Sequence, residues 1–152
     1  LDFAARIHSP ESAANAQTDI GELVERLAGA IREIAATRDV QIDGSRTTTD
    51  LTAAVQAEVA ERLVLRMCSA VIARASPGEH LRLSVDQGRD HCTVSITRPR
   101  ALFDLRDDDL FGTASDAMSP EFPLRLARGL AQTAGADIIT CERCITLLFH
   151  RT

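Results

Sequence analysis

The sequence contains four cysteines and four histidines, the residue types that bind zinc and other transition-metal ions most often. Only the run Cys141–Cys144 has the spacing of a metal-binding pair. Structural zinc takes four ligands, and the nearest second pair, His91 and Cys92, belongs to a different predicted strand. The alternative is a tight hairpin, in which Glu142 and Arg143 form a two-residue turn and the two cysteines face each other across it. We favour the hairpin and predict no metal site.

His8 is the other isolated candidate, because histidine can be phosphorylated or can bind a metal ion. It has no acidic neighbour and no second ligand nearby in the sequence. We therefore interpret His8 as an exposed residue at the end of a helix. The remaining cysteines lie within helix or strand patterns, which favours reduced thiols and a cytoplasmic protein.

The composition indicates one globular domain and excludes several function classes. The chain has 152 residues, of which 45% are hydrophobic and 26% charged, and its formal charge is −5. An excess of negative charge argues against a nucleic-acid partner, which requires a basic face. No apolar run is long enough to span a bilayer, so we predict no membrane contact. Since the sequence begins without Met, we expect it to be a piece of a longer protein.

Helical periodicity defines the elements that position any site. Apolar residues recur at helical spacing through the stretch Asp50–Pro77, which predicts a long buried helix that begins at Thr49 or Asp50 and stops at Pro77-Gly78. A second helix is predicted from Ile20 to about Thr37, where Asp19 and Glu22 form a capping box. A third follows Ser119 and ends at Gly135.

Alternating patterns predict the strands. We expect strands at 39–43, 80–86, 91–97, 137–140 and 145–149, of which the second and third form a hairpin with one buried face. The stretch 44–49 is predicted to be a loop, and 98–119 a long loop of the kind that forms lids or mobile segments. This order predicts an α+β two-layer sandwich, with three helices on one face of a mixed, mainly antiparallel sheet. Residues 1–17 are interpreted as the end of a preceding helix plus a linker, and 18–152 as the domain.

This order resembles the C-terminal catalytic and ATP-binding domain of bacterial two-component sensor histidine kinases, a fold (the Bergerat fold) shared with DNA gyrase B and anti-sigma-factor kinases. Leu63–Gly78 is similar to the helix that carries the family's N box and its Pro-Gly stop. Leu124–Ala131 and Gly135–Ile138 resemble the helix and turn after the glycine-rich lid. Asp19–Val24 resembles the start of the domain, and Leu1–Ile7 the end of a dimerisation helix.

The resemblance implies ATP and magnesium as ligands, yet the N box departs from the family pattern. The family's magnesium-holding Asn aligns with Val71, and the earlier polar position with Met67. Neither side chain offers the oxygen that Mg²⁺ requires. The only Asn of the sequence is Asn15, which precedes the domain. Arg74 occupies the place of the basic residue beside the family's Asn.

Two further boxes depart as well. Where the family has Asp-x-Gly-x-Gly after the second hairpin strand, this sequence has neither Asp nor Gly in Arg98–Leu102. Arg74, Arg98 and Arg100 could bind anions, but we interpret them as solvated surface residues. The phosphate-binding box aligns with Glu121–Leu124, in which Pro123 has no N–H and Glu121 would repel a phosphate.

Three hypotheses follow. The first is a degenerate kinase-like domain, with no catalytic residue and no cofactor, that acts as a regulatory or docking module in a phosphorelay; a histidine phosphotransferase adaptor is one form of it. The second is a competent ATP-dependent histidine kinase domain with an unconventional pocket. The third is a binder of some other small ligand in the vacated cleft. The implied partners are a dimerisation and phosphoacceptor domain of the same protein, which would be a homodimer, and a response regulator or partner kinase.

Overall fold

The computed structural model describes residues 16–46, 51–111 and 120–151. The helices in these ranges are α1 (Ile20–Ala36), α2 (Ala57–Ile72), α3 (Asp107–Phe111) and α4 (Phe122–Thr133), and a 3-10 turn spans Arg100–Leu102. The strands are β1 (Thr18–Asp19), β2 (Gln41–Arg46), β3 (Thr52–Ala53), β4 (His80–Gln87), β5 (His91–Thr97), β6 (Asp137–Thr140) and β7 (Cys144–His150).

Five strands form the main sheet, in the order β2-β4-β5-β7-β6. β2 runs parallel to β4, and the other neighbours are antiparallel. One face of the sheet is apolar because every second residue of β4, β5 and β7 points into the core. Helices α1, α2 and α4 lie side by side over that face. The predicted α+β sandwich with a mixed sheet and three substantial helices is confirmed.

The predicted start of the central helix was wrong. α2 begins at Ala57, after Gln56, and ends at Ile72 rather than at Pro77. Leu51, Ala53 and Val55 are buried in alternation, and β3 pairs with β1 in a small antiparallel ribbon. Buried residues four apart fit a strand as well as a helix, so periodicity alone did not separate the two.

The strand before this region was also placed too early. Asp39 has a positive φ of 57° in the turn that ends α1, so the chain becomes extended only at Gln41. β2 then continues through Gly44 to Arg46, which had been predicted to be loop.

The segment after β5 is more ordered than the loop that the sequence predicts. It contains the 3-10 turn and the short helix α3 before residues 112–119, which lie outside the described ranges. The predictions for His8, for the preceding helix and for the linker before residue 16 also fall outside them.

Several local predictions hold. The side chain of Asp19 accepts a hydrogen bond from the N–H of Glu22 at 3.1 Å, which caps α1. Gly135 follows α4 with a φ of 83°, and the N–H of Ala136 reaches the carbonyl of Ala131 at 2.8 Å. This is the bond pattern of a glycine-terminated helix.

Candidate functional site

The inner face of α2 is apolar at the position that the resemblance assigns to the magnesium-holding Asn and at the polar position one turn before it. Met67 and Val71 are one helical turn apart and have no exposed surface. They belong to the continuous hydrophobic core that also includes Leu63 and Val64. Mg²⁺ requires oxygen ligands, and a thioether or an isopropyl group supplies none. This face of α2 is therefore a packing surface, and it does not fit a magnesium ion.

Arg98, which directly follows β5, is buried and not solvated as predicted. Only 7% of the residue is exposed. Its Nε donates to the carbonyl of Leu102 at 2.9 Å, one terminal nitrogen donates to the carbonyl of Cys141 at 3.3 Å, and the other donates to the carbonyl of Leu105. The main-chain N–H of Arg98 also donates to the carbonyl of Arg143 at 2.9 Å. A guanidinium has five donors in a rigid fork, which allows one side chain to hold three separate carbonyls.

The bonds of Arg98 fix the segment that follows β5. The resemblance places the Asp-x-Gly-x-Gly box here, whose Asp binds adenine in sensor histidine kinases. Leu102 and Leu110 in this segment have no exposed surface and belong to the core. A flexible glycine-rich loop lets a nucleotide approach the backbone closely. Here the backbone carbonyls are occupied by Arg98, and bulky side chains take the place of glycines. The segment does not fit the approach of an adenine ring.

The start of α4 carries a carboxylate instead of an open phosphate site. Glu121 is the N-cap residue of α4, and its Oε1 lies 3.1 Å from a terminal nitrogen of Arg74. The side chains of Arg74 and Glu121 are 29% and 14% exposed, so Arg74 is half-buried and ion-paired rather than solvated as predicted. Helix N-termini attract negative charge. The carboxylate of Glu121, paired with Arg74, places negative charge beside this helix end, and a like charge disfavours a phosphate there.

The two other predicted positions are exposed. The side chain of Arg100 faces solvent as expected, and its main-chain N–H donates to Oε2 of Glu79 at 3.3 Å. Pro123 lies in the first turn of α4 and lines a cleft of about 500 Å³ between α2 and α4. The other residues lining this cleft are Leu65, Arg66, Ser69, Ala70, Ala73, Phe122 and Leu126. A smaller cavity of about 240 Å³ lies between α1 and strands β2 and β4.

The six predicted positions therefore occupy three environments. Met67 and Val71 lie in the core, Arg74 and Pro123 lie where α2 meets the start of α4, and Arg98 and Arg100 follow β5. The sequence did not predict the three hydrogen bonds from Arg98 to main-chain carbonyls, nor the ion pair of Glu121 with Arg74. The only signal for the ion pair was that Arg74 lies in the stretch similar to the N box and Glu121 in the stretch aligned with the phosphate-binding box. Nothing in the sequence pattern indicated the hydrogen bonds of Arg98.

The cysteine pair forms the predicted hairpin. Cys141 N–H donates to the carbonyl of Cys144 at 2.8 Å across the β6–β7 turn. Within the described ranges, no group of three or more His, Cys, Asp or Glu side chains is arranged to hold a metal ion. Among the described helices, none has the length and apolar character needed to cross a membrane.

No family model matches the sequence, and no curated protein matches it significantly. Solved structures do match. A histidine kinase from Burkholderia phymatum STM815 is 15% identical over 99% of this chain and 76% of its own, with a TM-score of 0.63. The nucleotide-free catalytic domain of histidine kinase ThkA is 12% identical over 90% of this chain and 94% of its own, with a TM-score of 0.64. The Acinetobacter baumannii histidine kinase AdeS is 13% identical over 99% and 78%, with a TM-score of 0.66. The chain is similar to these proteins in fold, and the predicted histidine kinase ATPase-like fold is confirmed.

Proposed function

We propose that this chain is the kinase-like domain of a two-component signalling protein, that its nucleotide pocket is degenerate, and that it acts as a regulatory or docking module in a phosphorelay. The observation that carries the proposal is the complete burial in the core of Val71, at the position of the magnesium-holding Asn, and of Met67, at the polar position one turn before it. Fold alone does not decide function, so the proposal depends on these side chains rather than on the similarity.

Two independent features support the same conclusion. Arg98 binds two carbonyls of the segment that would approach the nucleotide base, and the carboxylate of Glu121 places negative charge beside the helix N-terminus that would receive a phosphate. Loss of the metal ligand, of the base-reading loop and of the phosphate site removes all three contacts that a magnesium–nucleotide complex needs. The likeness of the fold to histidine kinase catalytic domains supports a phosphorelay setting, with a cytoplasmic location.

The proposed partners follow from that setting. They are a dimerisation and phosphoacceptor domain of the same protein, through which the full protein would be a homodimer, and a response regulator or partner kinase. A domain boundary near residue 17 remains a prediction.

Calorimetric titration of the purified chain with ATP tests the proposal. Titrations with magnesium and with a chelator are compared, and a histidine kinase catalytic domain with intact boxes serves as the positive control. We expect no magnesium-dependent heat for this chain. Saturable, magnesium-dependent binding at micromolar concentration, which corresponds to about −8 kcal/mol, would contradict the degenerate pocket and favour a competent kinase domain.

A further inference from the structure

Two cysteines lie opposite each other at the exposed end of the sheet, where β6 turns into β7. Cys141 is exposed and Cys144 is half-buried. The pairing of Thr140 with Ile145 continues through the turn, so Cys141 and Cys144 are the next pair of the ladder. Their main chains are joined by the bond from Cys141 N–H to the carbonyl of Cys144 at 2.8 Å.

This arrangement is compatible with a disulfide bond. Cα atoms of hydrogen-bonded antiparallel pairs are about 5.5 Å apart, which lies within the roughly 4.4 to 6.8 Å that disulfides span. We propose that Cys141 and Cys144 form a redox-modification site that reacts with low-molecular-weight disulfides, of which oxidised glutathione is the simplest probe.

The turn between β6 and β7, which carries the two thiols, is held by hydrogen bonds from Arg98. Arg98 donates its main-chain N–H to the carbonyl of Arg143 and one guanidinium nitrogen to the carbonyl of Cys141. The Sγ of Cys144 also lies 3.5 Å from the hydroxyl of Thr146. These contacts hold the two thiols on facing strands before any reaction, so little chain entropy is lost when they join.

The reaction proceeds by two thiol–disulfide exchanges. Cys141, the exposed thiol, loses its proton to solvent and attacks one sulfur of the small disulfide. The S–S bond of that molecule breaks, one small thiol leaves and takes up a proton, and a mixed disulfide remains on Cys141. Cys144 then loses its proton, attacks the sulfur of Cys141 and displaces the second small thiol. The protein gains one S–S bond, and the small disulfide is reduced to two thiols.

The other two cysteines provide an internal control. Cys68 and Cys92 have no exposed surface. Burial raises the pKa of the Cys68 thiol to about 12, so it is protonated and unreactive at physiological pH. The pKa of Cys141 is also raised, by partial desolvation and by the hydrogen bond and charge of Cys144. Since the thiolate is the nucleophile, the exchange is best measured at about pH 9.

The test treats the reduced chain with oxidised glutathione and analyses intact mass and disulfide-mapped peptides. We expect the protein to lose two hydrogen atoms, with a bond between Cys141 and Cys144 and with Cys68 and Cys92 still reduced. The variant Cys144→Ser should stop at a single glutathione adduct on Cys141, because the resolving thiol is missing. The variant Cys141→Ser should react more slowly than Cys144→Ser, because its remaining thiol is half-buried.

Three outcomes would overturn the proposal: glutathione retained on both Cys141 and Cys144 of the unaltered chain, a disulfide that joins two molecules, or no reaction of the folded chain while the urea-unfolded chain reacts. Circular dichroism of both serine variants, each expected to match the unaltered chain, establishes that the thiols are compared in the same fold.

Discussion

Helix α2 and the segment from Arg98 to Phe111 are both buried against the core, but they are held there by different means. α2 contributes eight buried residues spread along four turns. The segment after β5 has few buried apolar side chains, and Arg98 binds its carbonyls at Leu102 and Leu105. The packing of α2 is thus distributed over many small apolar contacts. The segment combines a few buried apolar side chains with hydrogen bonds from Arg98 to two of its carbonyls and from Arg125 to the carbonyl of Asp109.

This contrast bears on how each region tolerates substitution. A distributed apolar face, to which Met67 and Val71 belong, tolerates hydrophobic substitutions that keep its volume. The segment after β5 needs donors for its backbone carbonyls, because buried carbonyls without donors are costly. Arg98 supplies such donors to Leu102 and Leu105, so this segment is sensitive to the loss of a single polar side chain.

The largest effect is expected from Arg98→Ala. The substitution removes three hydrogen bonds from a charged guanidinium, to the carbonyls of Leu102, Leu105 and Cys141, and a hydrogen bond to a charged group contributes roughly 1.5 to 3 kcal/mol. We expect the free energy of unfolding in urea to fall by about 4 kcal/mol. Arg98→Lys should lose nearly as much, because an ammonium cannot span three carbonyls.

Arg100→Ala is the matched control, since its side chain is exposed only two residues away. It should change the free energy of unfolding by less than about 0.5 kcal/mol. Equal effects of the two alanine substitutions would show that the segment is not held by Arg98, and the contrast with α2 would fail.

The same contrast separates what the sequence could predict from what it could not. The hairpin of β4 and β5, helix α1 and the glycine end of α4 are repeating or local patterns, and each was predicted within a few residues. The start of α2 was not, because Leu51 and Val55 satisfy two periodicities and the choice between them is made by pairing with β1, which is distant in sequence.

The candidate site also has a part that the sequence could predict and a part that it could not. The absence of oxygen ligands at Met67 and Val71 could be read from residue types alone. The burial of Arg98 could not, because its partners are main-chain carbonyls, one of which belongs to Cys141 in a turn 43 residues later. Carbonyls carry no sequence signal, so an arginine that binds them looks like any surface arginine.

An intermediate effect is expected from Val71→Asn, which introduces the Asn that the resemblance places at this position. If the α2 face is only a packing surface, the amide meets no partner, and burying an unpaired polar group costs roughly 1 to 3 kcal/mol. We expect the free energy of unfolding to fall by about 2 to 3 kcal/mol and calorimetry with ATP and magnesium to remain silent. Ala73→Asn, on the exposed side at the end of α2, is the control and should cost less than about 0.5 kcal/mol.

Magnesium-dependent binding by the Val71→Asn variant would show that one side chain, and not the closed segment, keeps the nucleotide out. In that case the α2 face alone, and not the segment from Arg98 to Phe111, would prevent nucleotide binding.

The smallest effect is expected at the ion pair of Arg74 and Glu121, which links α2 to the start of α4. The side chains are 29% and 14% exposed and the two atoms are 3.1 Å apart, so the pair is better shielded than an ordinary surface pair. A double-mutant cycle with Arg74→Met and Glu121→Gln should give a coupling energy of about 0.5 to 1 kcal/mol, which salt partly screens. Arg26 and Glu61 are the control, because they are 3.9 Å apart and 58% and 45% exposed, and their coupling should be near zero. If both cycles gave the same coupling, Glu121 would be an ordinary surface carboxylate, and the helix N-terminus would remain open to an anion.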